Sequence, residues 1–162
     1  MKWPSSLRSR EVDVDKVLVQ EQDFDLGEEY SLLSESSSIG AVVTFVGKVR
    51  DFNLGDDVIG LNLQHYPVMT EKALHEICSE ARSRWPLDRV TIIHRVGDLD
   101  IADQIVLVGV SSAHRDAAFA GCEFIMDFLK TKAPFWKKER LKDSSRWLDS
   151  RESDQISMKR WS

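Results

Sequence analysis

Cysteine is scarce in this chain. Cys78 and Cys122 are the two in 162 residues, and neither belongs to a CxxC pair or stands at ligand spacing from a histidine. A disulfide framework and a zinc site are therefore not expected. No apolar run is long enough to cross a bilayer, and the opening MKWPSSLRSREV has charge and Pro4 but no hydrophobic segment of a secretory signal. A cytoplasmic location and no membrane partner are expected. Walker loops, dinucleotide glycine patterns and internal repeats are missing, so no cofactor is expected. Positive charge is in deficit overall, with a formal net charge of −5 and a pI near 5.4. That balance argues against general nucleic-acid binding, whose usual footprint is a basic surface.

What is present fits one ordinary globular domain: 42% hydrophobic and 30% charged residues, in enough chain to bury a core without staples. Residues 1–11 are polar and read as an extension. Val12, Val14, Val17 and Val19 suggest a first strand, and residues 25–35 read as a short helix with Tyr30, Leu32 and Leu33 turned inward. The β-branched run GAVVTFVGKV, residues 40–49, predicts a central strand. Asn53 and Gly55 supply turn chemistry before a hairpin partner over 58–66, with Ile59, Leu61, Leu63 and His65 on one face. After Pro67 the period changes to about 3.6. Leu74, Ile77, Cys78, Ala81 and Trp85 then form the stripe of an amphipathic helix that stops before Pro86.

Strands follow over 89–96 and 104–112, the second apolar enough to be covered on both faces. A second long helix runs from about His114 to Lys130, with Ala118, Gly121, Cys122, Ile125 and Leu129 inward and Ser111 or Ser112 as its cap. From Phe135 the chain is extended again. The tail from Arg146 is too polar for the core, with Trp147 and Trp161 as anchors to this or another subunit. Hairpin-joined strands mixed with two long helices, without βαβ alternation, predict an α+β domain.

The positive charge is gathered in one place. Residues 130–142, KTKAPFWKKERLK, set Lys130, Lys132, Lys137, Lys138, Arg140 and Lys142 against the single carboxylate of Glu139. A basic run is often no more than a solvated face. Three features argue for a pocket instead. Pro134 stops the helix that ends near Lys130, so Lys130 and Lys137 come from different elements. Phe135 and Trp136 are interleaved with the charges, as aromatics that wall a pocket are. Glu139 can pin one lysine and leave the others to face a ligand. Lys48 and Arg50 follow a strand, and His114 and Arg115 stand at a helix start whose unpaired N–H groups attract anions. Element ends of this kind carry working residues, which predicts convergence of these groups on one phosphate-bearing ligand.

Taken together, GAVVTFVGKVRDFNLGD, YPVMTEKAL, VTIIHRVGDL, SSAHRDAAF and FLKTKAPFWKKE resemble, in the same order, the large catalytic subunit of molybdopterin synthase. The resemblance covers roughly residues 12–155, leaving 156–162 as a C-terminal tail. A lysine followed by Pro-Phe-Trp-Lys-x-Glu carries most of its weight. It implies an α/β hammerhead-type domain with an antiparallel or mixed sheet. It also implies a homodimer at the centre of a heterotetramer, with a small ubiquitin-like sulfur-carrier subunit at each end. Each carrier inserts its C-terminal Gly-Gly thiocarboxylate into this subunit's pocket. The implied reaction transfers two sulfurs to cyclic pyranopterin monophosphate, making the dithiolene of molybdopterin for molybdenum cofactor biosynthesis. By resemblance, Lys130 and Lys137 are the catalytic pair, and Arg50, His114 and Arg115 hold the substrate. Lys48, Val49, Lys138 and Glu139 lie in the matching segments, and Arg151 corresponds to an arginine that reaches the neighbouring subunit's site.

Two other classes compete with this expectation. In a non-catalytic binding module the basic run would dock an acidic protein or an RNA, with Phe135 and Trp136 stacked on bases. In a persulfide sulfurtransferase Cys122 would carry the sulfur, at odds with its place on a buried helical stripe.

Overall fold

Branched and apolar residues build a four-stranded sheet that is buried along its middle. The computed structural model describes residues 15–53, 55–148 and 152–162. β1 (Asp15–Gln20) lies at one edge and β2 (Ala41–Lys48) at the other. Between them run β5 (Leu87–Arg95), parallel to β1, and β7 (Gln104–Ser112), antiparallel to both β5 and β2. Val90, Ile92, Val108 and Val110 point to the main core, and Ile93 and Leu107 meet Phe24 in a second cluster. This is the two-sided burial that the continuous apolar runs predict.

A second sheet is antiparallel. β3 (Phe52–Asn53), β4 (Asp56–His65), β8 (Phe135–Leu141) and β9 (Ser145–Leu148) lie side by side, and β6 (Gly97–Asp100) also pairs with β4. Helix α1 (Leu26–Leu33) covers one face of the first sheet, seated where Gly109 lacks a Cβ that would collide with Leu33. Helices α2 (Pro67–Arg84) and α3 (Arg115–Lys132) cover the other face. Pro67 starts α2 at the position that tolerates a missing N–H, and Trp85 and Ala133 turn extended before Pro86 and Pro134, which ends both helices. The described residues thus form a mixed α+β domain of two sheets and four helices, the fourth being α4 (Glu152–Lys159).

The structure corrects several expectations. A bulge between Val58 and Gly60 resets the alternation of β4, so Leu61 and Leu63 are buried but Ile59 is half exposed. In α1 only Leu33 of the three expected residues is buried, while Tyr30 and Leu32 face outward. Ser111 and Ser112 do not cap α3. Both are buried in β7, where Ser111 accepts from the N–H of Arg89 and Ser112 donates to the carbonyl of Pro86. The polar tail also joins the fold. The indole N–H of Trp161 donates to Asp127 at 2.7 Å, and its ring meets Trp85 and Phe124 edge to face.

Candidate active site

Where the two sheets meet, at the C-terminal end of α3, a cavity of about 620 Å³ opens. That is a size suited to a small-molecule ligand. Pro134 and the turn around it bring two lysines into it. Lys130 sits in the last turn of α3, which ends at Lys132, and three residues beyond that end β8 begins at Phe135 and carries Lys137 back along the opening. Thr70 of α2 donates to the carbonyl of Pro134 at 3.1 Å and fixes that corner. Lys48 and Arg50, at and beyond the end of β2, line the same cavity, as does Glu139. The side chains of Lys48, Arg50 and Lys130 have no ion-pair or hydrogen-bond partner among the described residues, which leaves their charges available to an anionic ligand.

Strand alternation sorts the basic run. Phe135, Lys137 and Glu139 share the cavity face of β8. Trp136 and Lys138 point the other way, Trp136 edge-on to Tyr66 and the ammonium of Lys138 5.3 Å from the ring centre of Trp147. Only Phe135 of the two expected wall aromatics therefore lines the cavity. Val49 is buried in the core, so its side chain offers a ligand nothing but packing. Glu139 is only 3% exposed. Its carboxylate accepts from Asn53 at 3.0 and 3.1 Å and from Arg146 at 2.9 Å. A guanidinium thus meets the charge that the sequence reading gives to a lysine.

Convergence of all the expected anion-binding groups does not occur within one chain. His114 and Arg115 line a separate, shallow hollow with Gly40, Ala113 and Asp116, and the Arg115 side chain is 85% exposed. They stand at the opposite end of α3 from Lys130. Fifteen residues at roughly 1.5 Å of rise each put Arg115 and Lys130 about 22 Å apart along the helix. Arg151 lies outside the described residues.

Other cavity residues escape sequence reasoning. His94, near the end of the apolar strand β5, lines the cavity with 2% exposure and stacks on Phe135, centroids 3.8 Å apart at 16°. Burial, opposed by a hydrogen bond to the carbonyl of Arg95 and reinforced by Lys137, His65 and Lys130, pushes its pKa down to about 3. The imidazole is therefore neutral. A histidine directly after the apolar pair Ile92–Ile93 was the available signal. Phe45, Phe52 and Met126 also line the opening, and Asn53 braces Glu139, although its turn character hides that role.

Both thiols are inert. Burial pushes Cys78 and Cys122 up to about 12, and the Sγ of Cys122 is turned to the carbonyl of Val108. A persulfide carrier needs an accessible thiolate.

The family model of the MoaE protein matches residues 19–132. The chain belongs to the MoaE protein family. Among relatives of this family member, the molybdopterin synthase catalytic subunit of Vibrio cholerae is 65% identical over 146 residues, 90% of this chain and 97% of its own length. The Escherichia coli protein of the same name is 60% identical over the same shares. Among solved structures, the molybdopterin biosynthesis MoaE protein of Burkholderia ambifaria superposes with a TM-score of 0.78 at 48% identity, covering 91% of this chain and 97% of that one. Among the described residues of this MoaE family member, no helix is long and apolar enough to cross a membrane.

Proposed function

We infer that this chain is the catalytic subunit of a molybdopterin synthase, a sulfurtransferase of molybdenum cofactor biosynthesis. Its sulfur arrives on the C-terminal Gly-Gly thiocarboxylate of a small ubiquitin-like carrier subunit and is transferred, twice, to cyclic pyranopterin monophosphate. One observation carries the inference: Lys130 and Lys137 meet in a single cavity beside Lys48 and Arg50, in a chain whose own thiols are buried and protonated.

The chemistry requires what these residues offer. A thiocarboxylate and a phosphate are both anions, and donors fixed before the ligands arrive lose little energy in reorganising around them. When sulfur replaces oxygen on the pterin, the departing oxygen needs a proton, and a lysine ammonium can supply it. The second ammonium holds the thiocarboxylate. Water then takes the place of sulfur on the carbonyl carbon, and the spent carrier leaves with an ordinary carboxylate. Arg50 suits the phosphate, which a guanidinium can grip through two parallel N–H groups. Glu139, already neutralised by Arg146, subtracts little from the positive field.

His114 and Arg115 belong to the same reading as substrate contacts. Because they lie far from Lys130 in their own chain, this reading assigns them to the cavity of the other protomer in a homodimer, with carriers at its two ends completing the heterotetramer. Arg151 is assigned to the neighbouring site on resemblance alone. A cytoplasmic location belongs to this reading too.

The test is reconstitution. Mixed with a thiocarboxylated carrier and cyclic pyranopterin monophosphate, the chain yields dithiolene product, whereas a carrier ending in a plain carboxylate yields none. No product with the thiocarboxylated carrier would overturn the proposal.

A further inference from the structure

The cavity wall holds one group that the sulfur-transfer chemistry above leaves unused. His94 sits behind Phe135, and its Nδ1 lies 2.8 Å from the carbonyl oxygen of Arg95. A carbonyl can only accept, so Nδ1 carries the proton, and in a neutral ring Nε2 is then a bare lone pair. Ring geometry turns Nε2 away from Arg95. It has no hydrogen-bond partner among the described residues, although the ring lines the cavity.

The neighbourhood makes that lone pair unusual. Lys48, Arg50, Lys130 and Lys137 offer the cavity only donors. Of the carboxylates that line it, Glu139 is taken up by Asn53 and Arg146, and Asp154 comes from α4. Although the residue is 2% exposed, Nε2 keeps some accessible surface, and in the cavity a donor on the ligand can replace water as its partner. An anion cannot fill that place, because two lone pairs would face each other. The ligand group that fills it must be a hydrogen-bond donor.

We propose that His94 Nε2 is the hydrogen-bond acceptor for an N–H of the ligand bound in this cavity, setting its depth and orientation while the cations hold its anionic part. Two ligands of the proposed reaction carry that chemistry, a ring N–H of the pterin and a backbone amide N–H of the carrier's glycine tail. His94's role depends on Lys130 and Lys137 working in this cavity as proposed above. It is a binding and orienting group, and it does not exchange protons with the substrate.

Two variants separate this role from packing. His94→Phe keeps a flat ring against Phe135 and removes the acceptor. His94→Gln loses the ring and returns an amide oxygen near the position of Nε2. Carrier affinity is measured by calorimetry with the carboxylate-ended carrier, and the pterin KM by steady-state conversion. We expect His94→Phe to weaken one of the two by at least tenfold and to leave the other within twofold, which identifies the ligand contacted. His94→Gln recovers a substantial part of that loss. If His94→Phe does not fold, His94→Asn, which keeps a donor for Arg95 and lacks the distal acceptor, takes its place with the same expectation. Both quantities within twofold of the parent, or a Gln variant no better than the Phe variant, overturns the proposal. The parent protein's conversion in the same assay stands or falls separately, so a failure of the catalytic reading is distinguishable from a failure of this one.

Discussion

Arg146 donates from Nε to Oε1 of Glu139 at 2.9 Å, directly across the ladder between β9 and β8. The pair forms part of the structure behind the cavity, because the carboxylate is 3% exposed and also holds Asn53 from β3. Arg146 closes the arrangement by donating from Nη2 to the carbonyl of Asn53 at 2.8 Å.

Removing one member of a buried pair leaves a charge stranded in a poor solvent. Arg146→Ala is expected to destabilise the protein by about 3 kcal/mol or more. Adding Glu139→Gln to that variant removes the stranded charge and restores part of the loss. Urea unfolding of the two single variants and the double variant gives the coupling.

The pH dependence of stability carries the imprint of His94. Its pKa is about 3 in the folded chain, against 6.5 for an ordinary histidine. Between those values the unfolded chain binds a proton and the folded chain does not. The contribution is complete above pH 6.5 and is lost as pH falls toward 3, at up to about 1.4 kcal/mol per pH unit. Urea unfolding at pH 7 and pH 5 should show a smaller drop for His94→Phe than for the parent, by roughly 1 to 2 kcal/mol.

Neither cysteine takes part in the transfer. Cys122→Ala should convert substrate at a rate within about twofold of the parent, with at most a modest loss of stability of about 1 kcal/mol. Under native conditions at pH 7.5, iodoacetamide should label both thiols far more slowly than it labels the urea-unfolded chain. Mass spectrometry reads both rates.

The placement of His114 and Arg115 predicts complementation. Arg115→Ala and Lys130→Ala are each expected to be impaired alone. Unfolded together and refolded as mixed dimers, they should regain about a quarter of the parent activity, because half of the dimers are mixed and each has one intact site. Recovery of nothing would mean that Arg115 and Lys130 serve the same chain's cavity, and full activity of Arg115→Ala alone would mean that Arg115 has no part in it.

Much of this was legible in the residues, for physical reasons. Helices α2 and α3 announce themselves through a 3.6 period bounded by Pro67, Pro86 and Pro134, and β7 through an unbroken apolar run. Pro134 also made it readable that Lys130 and Lys137 come from different elements. What stayed hidden depends on distant partners. The short β6 and β9 have no apolar signature and exist because β4 and β8 offer them free edges. Trp161 reaches the core only because Asp127 receives its N–H and Trp85 and Phe124 leave it a slot. The bulge in β4 cannot be seen in alternation, since it is the point at which alternation fails. The twofold sorting of residues 135–139 was implicit in the strand period, whereas the position of His94 behind Phe135 required the two sheets to be brought together.

The most direct measurement is single-turnover sulfur transfer from a thiocarboxylated carrier to cyclic pyranopterin monophosphate by Lys130→Ala and Lys137→Ala, with melting temperature and carrier binding recorded on the same samples. Both variants should fold as the parent does, yet with the carrier supplied at saturating concentration convert substrate at least about a hundredfold more slowly. A folded variant of either kind that transfers sulfur at close to the parent rate would contradict a catalytic role for that lysine in this cavity.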